Sequence, residues 1–166
     1  MSIRVGLGVD VHPLVEGRVL ILGGIEISHP LGLEGHSDAD VLSHAIADAL
    51  LGAAALGDLG QHFPSGDSRW QGVSSLDFLH HVVGLLQEKG WQVGNIDAVI
   101  LAEEPRLAPH IPGMRTVIAN ILGIEAGDVS IKATTTDRLG LVGRGEGIAA
   151  QAIALIRRIE VAREQG

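Results

Sequence analysis

The chain of 166 residues contains no cysteine, which excludes disulfides, thiolate metal sites and a thiol nucleophile. It has no tyrosine and only two Phe and two Trp. Stacking on nucleic-acid bases therefore has little to work with, and the core must be built from Val, Ile, Leu and Ala. Positive charge is also short: the formal net charge is −8, which argues against non-specific binding of a polyanion. No nucleic-acid partner is expected. A small anionic substrate stays compatible where local cations or a metal ion outweigh the global field. No apolar run reaches the roughly 18 residues of a membrane span, so no membrane insertion is expected. The opening MSIRVGLGVD lacks a basic stretch followed by a long apolar one, and a cytoplasmic location is the expectation. Linkers, repeats and low-complexity tracts are missing too, which predicts a single domain over 1–166.

What is present alternates between strand-like and helix-like stretches. Residues 3–11 and 19–27 are rich in Val, Ile and Leu and read as two strands. Residues 38–56 read as an Ala/Leu-rich helix, with Ser37 as its N-cap and Asp40 at the capping-box position. A Gly-, Pro-, Ser- and Asp-dense loop follows. A second helix is expected over 73–89, ending at Gly90. The segment NIDAVILAEEP is a strand that stops before Pro105, and a third helix opens near Pro112 and closes at Gly123. VSIKATTT alternates as a strand. IAAQAIALIRRIEVAR is ambiguous between helix and strand. Apolar residues on both faces of 147–158 favour the strand, because a monomer could not easily cover both. The class is α/β (α+β), a mixed sheet with helices on one face.

Chemistry-bearing residues concentrate in three places. In GVDVH (8–12), strand alternation puts Asp10 and His12 on one face, about 6–7 Å apart, where they can converge on one cation. Taken alone, these five residues read more ordinarily as a half-exposed strand with two polar residues on its wet side. On the first helix, Asp40, His44 and Asp48 fall at i, i+4 and i+8 along one side. Asp10, His12 and His44 would make a two-His, one-carboxylate set with an open fourth position, and an acidic neighbour could orient the imidazole. His36 precedes the helix in a turn suited to holding phosphate oxygens. KATTTDRLGLVGRGEG (132–147) gathers Lys132, three threonines, Asp137 and Arg144 around a Gly-rich turn. That composition suits phosphates and a hard cation, although the spacing is not a Walker motif.

Taken together, G-x-D-x-H at 8–12, HSDADVLSHAIADALLGAAALGDLG at 36–60, HFP at 62–64, HIPGMR at 110–115 and KATTTDRLGLVGRGEGIA at 132–149 resemble one family. It is the 2-C-methyl-D-erythritol 2,4-cyclodiphosphate synthases of non-mevalonate isoprenoid biosynthesis. The pieces stand in the family's order and span nearly the whole chain. The resemblance implies a homotrimer around a central cavity, with active sites between subunits. It implies conversion of 4-diphosphocytidyl-2-C-methyl-D-erythritol 2-phosphate to the cyclic diphosphate with release of CMP.

Carried over position by position, Asp10, His12 and His44 match ligands of one Zn²⁺ per chain. Asp137 matches the ligand of a second cation, Mg²⁺ or Mn²⁺, although glutamate is commoner there and reaches one methylene further. His36 and Thr135 match the residues that stabilise the transition state. Ser37 matches a backbone contact to the substrate phosphate. Asp58, Leu59 and Gly60, with Phe63, Pro64, Ser65, Gly66 and Asp67, match the methylerythritol phosphate pocket. Ala102, Glu103, Glu104, Pro105, Arg106, Leu107 and Ala108 match the cytidine and CMP-phosphate site, together with Ala133, Thr134 and Thr135. Lys132, Thr136, Leu141 and Arg144 complete the substrate contacts. Arg138 replaces a common lysine and Leu141 a common aromatic. Two other readings of the same residues are a zinc phosphohydrolase that uses water, and a non-enzymatic trimer that binds isoprenoid diphosphates or nucleotides.

Overall fold

Two glycines on the first strand decide how the molecule packs. In the computed structural model, which describes residues 2–159, strand β1 (Ile3–Glu16) lies on helix α1 (Val41–Ala54). A Cβ on Gly6 would stand 1.9 Å from the Ala49 carbonyl oxygen, and one on Gly8 would stand 2.0 Å from that of Ala45. Only bare backbone lets the two elements approach so closely. Asp10 and His12 continue the same face of β1, toward the N-terminal end of the helix where His44 sits.

The remaining strands are β2 (Leu20–Leu22), β3 (Ile25–Ile27), β4 (Leu31–Leu33), β5 (Trp91–Leu101), β6 (Val129–Thr134) and β7 (Gly147–Arg158). The main sheet has the order β4-β1-β7-β5-β6. β7 is antiparallel to both β1 and β5, and β6 runs parallel to β5, so the sheet is mixed as expected. Ile148, Ala150, Ala152, Ala154 and Ile156 of β7 are buried under the helices, which also include α3 (Ser75–Glu88) and α4 (Ile111–Leu122). Single turns α2 (Leu59–His62) and α5 (Gly140–Gly143) sit in the connections.

The other face of the sheet is open in the single chain. Val5, Leu7, Val9, Val11 and Ile153 are 49–64% exposed there. The register sets Leu7 beside Ile153 and Val9 beside Gln151, so they form one continuous apolar surface. Monomeric proteins rarely leave such a patch uncovered. The strand reading of 147–158 holds despite its alanines, because β7 is the central strand, hydrogen-bonded on both sides. Residues 160–163 of that ambiguous stretch lie outside the described residues.

Two expectations need correction. Residues 19–27 are not one strand but a hairpin, β2 and β3, turning at Gly23 and Gly24, both with positive φ (57° and 73°). Ser37 is not the cap of the first helix. Asp40 is, accepting from the Leu42 and Ser43 amides, and the helix begins at Val41. The Asp40 carboxylate also takes the Gly23 and Gly24 amides, at 2.9 and 2.8 Å, and the Ser43 hydroxyl at 2.7 Å. It is fully buried, and it ties the hairpin to the helix start. Ser37 instead accepts from the Ala39 amide at 3.1 Å.

Candidate active site

Asp10, His12 and His44 do converge. Asp10 Oδ2 lies 2.9 Å from His12 Nε2 and 3.0 Å from His44 Nδ1, and the two nitrogens are 3.2 Å apart. Among the described residues this is the one group of three or more His and acidic side chains placed to hold a metal ion. A tetrahedral ion with bonds of about 2.0–2.1 Å needs ligand atoms roughly 3.3 Å apart. The triangle is slightly tighter than that, and a small outward shift of each side chain admits the ion.

His12 Nδ1–H donates to the Glu34 carbonyl oxygen at 2.7 Å, because a carbonyl can only accept. That leaves the Nε2 lone pair for a metal. His44 turns its Nε2 toward Ser75 Oγ, 2.8 Å away, and Ser37 Oγ, 3.2 Å away. Asp40 is therefore not the acid that steadies this imidazole, since all its capacity goes to the hairpin and the cap. Asp48 is engaged elsewhere as well, accepting the Leu59 amide at 2.6 Å and so pinning α2 against α1.

Burial pushes the Asp10 carboxyl up, but hydrogen bonds and charge from His12 and His44 outweigh it and hold the group well below the usual carboxylate range. Burial likewise pushes His12 down, but the hydrogen bond and charge of Asp10, with the Glu34 carbonyl and the charge of Asp40, together outweigh it and raise the group. The metal-free pair therefore contributes stability above the ordinary aspartate value, and loses it as pH rises through the raised value of His12. A metal needs His12 deprotonated, so its contribution grows over the range where the ion pair fades. The gap in melting temperature between metal-loaded and metal-free protein should widen from about pH 5.5 to about pH 8. Differential scanning calorimetry at fixed excess metal checks this. A gap that narrows with rising pH would contradict it.

Beside the triangle is a cavity of about 370 Å³ lined by His12, His36, Ser37 and His44, by Leu59, Gly60, Phe63, Pro64, Ser65 and Gly66, and by Trp70 and Phe78. His36 Nε2–H donates to the Asp67 carbonyl at 2.9 Å, holding the ring against the loop. The Asp67 carboxylate caps a short 3₁₀ turn (Ser68–Trp70) and pairs with Arg69 at 2.5 Å. Asp58 caps α2 through the Gln61 amide. These two expected pocket carboxylates thus shape the loop. Phe63 stacks on Phe78 with centroids 4.3 Å apart, and Trp70 meets Phe63 edge-on at 5.0 Å.

A second cavity, of about 580 Å³, is lined by Ala102–Ala108 with Ala133, Thr134 and Thr135. His29 lines it too, a residue the sequence reading missed. The two cavities are separate within one chain. Asp10 pairs in register with Ala150, Ala150 with Ile100, and Ile100 with Ala133. Two strand spacings therefore lie between Asp10 and β5, which leads into Ala102, and three, about 14 Å, between Asp10 and Ala133. His36 and Thr135 are therefore not brought together by one chain.

The rest of the 132–147 segment is distributed. Lys132 lies on the sheet and pairs with Asp97 at 2.5 Å. Glu103 Oε1 accepts the amides of Thr136 and Arg138, at 3.0 and 3.2 Å, and the Thr136 hydroxyl. Those amides hold the Glu103 carboxyl below its ordinary value. Asp137 and Arg138, at φ 52° and 63°, form the turn that Glu103 staples. Arg144 pairs with Glu146 at 2.6 Å, and Leu141 is exposed.

Three side chains able to hold a metal ion, set against a pocket, make an arrangement suited to a metal-dependent enzyme acting on a small molecule. The sequence model of the YgbB family matches residues 3–157. A 2-C-methyl-D-erythritol 2,4-cyclodiphosphate synthase from Syntrophomonas wolfei is 61% identical over 155 residues, 93% of this chain and 99% of the relative. Among solved structures, a complex of Plasmodium falciparum IspF with CDP superposes with a TM-score of 0.84 at 30% identity, covering 96% of this chain and 98% of the other. The bifunctional IspDF of Campylobacter jejuni gives a TM-score of 0.91 at 38% identity, covering 95% of this chain but 42% of that longer one. The chain belongs to the YgbB family, the 2-C-methyl-D-erythritol 2,4-cyclodiphosphate synthases.

Proposed function

We propose that this chain converts 4-diphosphocytidyl-2-C-methyl-D-erythritol 2-phosphate to 2-C-methyl-D-erythritol 2,4-cyclodiphosphate and CMP, as a cytoplasmic enzyme of isoprenoid biosynthesis. The observation that carries the reading is the Asp10–His12–His44 triangle opening onto the His36-lined cavity, in a chain of this family. An oxygen of the 2-phosphate attacks the β-phosphorus. The bond from that phosphorus to the CMP oxygen breaks, and CMP leaves with the electron pair. The nucleophile is already ionised, so no general base is required.

Zn²⁺ fits the donor set of one carboxylate and two imidazoles. Held there, it supplies Lewis-acid polarisation of a phosphate oxygen. The chain's own residues do the positioning. The His36–Ser37 turn receives the phosphate end of the substrate. Loop 58–67, braced by Asp58, Asp67 and the Phe63–Phe78 stack, receives the methylerythritol. The 102–108 segment and Thr134–Thr135 receive the cytidine and its phosphate. Asp137, on its stapled turn, would be the residue that holds Mg²⁺ or Mn²⁺ when the diphosphate is bound.

The distance between the two cavities supports a shared site, in which one subunit's 102–108 and 133–135 cavity completes the metal cavity of a neighbour. The open apolar face of β1 and β7 supports a homotrimer closed around it. Turnover of the cytidylyl substrate to cyclic diphosphate plus CMP, followed by phosphorus NMR, tests the reading. Light scattering should report three chains at micromolar concentration. Free phosphate as product would favour a hydrolase, and an active monomer would refute the shared site.

A further inference from the structure

Three polar side chains beside the metal triangle are spent in a chain that the reaction itself does not use. Ser75, the first residue of α3 and fully buried, donates its hydroxyl proton to Asp38 Oδ1, while its amide donates to Asp38 Oδ2 at 3.1 Å. A carboxylate only accepts. The Ser75 oxygen therefore presents lone pairs alone to its other neighbour, His44 Nε2, 2.8 Å away. His44 must be the donor on that side, so in the neutral imidazole that a metal requires, the Nδ1 lone pair is the one that faces Asp10 and His12. The Ser37 hydroxyl, 3.3 Å from Ser75 Oγ and 3.2 Å from Nε2, closes the cluster.

We infer that Asp38 and Ser75 are positioning residues that fix the tautomer and orientation of His44, and with them the affinity of the metal centre. The inference rests on the reading of Asp10, His12 and His44 as metal ligands. The second strand of support is where Ser75 comes from. The loop that walls the substrate cavity runs directly into it, and that loop is stitched to the His36–Asp38 turn by two backbone bonds, Gly72 amide to His36 carbonyl and Asp38 amide to Val73 carbonyl, at 2.8 and 3.0 Å. The last fixed point of the cavity wall is thus the partner of a metal ligand. Any distortion of the wall reaches the metal through one hydroxyl.

The test is zinc affinity of the full-length protein, measured by competition with a chromophoric chelator, for wild type, Ser75→Ala and Asp38→Ala. Loss of such an outer partner typically weakens metal binding about 10–100-fold, and both variants are expected in that range. In zinc-loaded protein labelled with ¹⁵N, the His44 Nε2 proton should be slow to exchange in wild type and fast in both variants. Asp38 is only partly buried, so Asp38→Ala carries the test if Ser75→Ala does not fold. Wild-type affinity and an unchanged Nε2 proton in the variants, even with a lower melting temperature in chelator, would overturn the inference. Wild type that binds no zinc would instead overturn the metal reading beneath it.

Discussion

His12→Ala is expected to give a folded protein that no longer retains zinc and turns over at least about 10³-fold more slowly. The side chain is partly exposed, and it holds a single backbone carbonyl besides the triangle, so little of the core depends on it. The metal depends on it heavily. With His12 gone, Asp10 and His44 offer two protein ligands where a catalytic centre ordinarily has three. The acceleration at stake is that of a Lewis acid placed where two anionic phosphates must meet, worth several kcal/mol of barrier, and about 4 kcal/mol corresponds to 10³ in rate. Metal content and turnover of the same preparation are measured together. His36→Ala is the control: it is expected to keep zinc and still lose rate, because His36 lines the cavity without touching the triangle. A zinc-free His12→Ala enzyme with full activity would sink the ligand assignment.

Asp10 and His12 were legible as a pair because strand alternation alone puts i and i+2 on one face. His44 was legible as the third candidate, because it completes a two-His, one-carboxylate set with the strand pair, and the resemblance added that the set matches zinc ligands. Its real partner was out of reach. Asp38 and Ser75 are 37 positions apart, and no local pattern links a residue before α1 to the first residue of α3. The cap of α1 was misassigned for a related reason. Ser37 and Asp40 both fit local capping rules, and what decides between them is the Gly23–Gly24 turn, which delivers two amides to Asp40. β7 shows the converse. Its alanines favour a helix, yet two-sided apolarity identified it as a strand, and pairing on both edges explains why propensity lost. The separation of the two cavities follows from strand order, which composition does not contain.

Gly8→Ala is expected to lower the melting temperature by roughly 10 °C or more, or to prevent soluble expression, and to disturb the metal centre as it does so. The added methyl would stand 2.0 Å from the Ala45 carbonyl oxygen and 2.7 Å from the Ala49 amide nitrogen. Both are backbone atoms of α1, so no rotamer change relieves the clash. The helix must move off the strand by more than an ångström. Overpacking a core costs about 1–3 kcal/mol when side chains can give way, and here they cannot, so at least about 3 kcal/mol is expected. For a domain of this size each kcal/mol shifts melting by about 2–4 °C. The displaced segment carries His44, the residue just before Ala45, while Asp10 and His12 stay on the strand, so the triangle opens along with the packing. Gly6→Ala meets the Ala49 carbonyl at 1.9 Å, two residues further from the centre. It should cost similar stability while weakening zinc less, and the ratio of those two losses separates packing from metal geometry. A Gly8→Ala protein with wild-type melting and wild-type zinc affinity would show that α1 does not rest on β1 as closely as the structure has it.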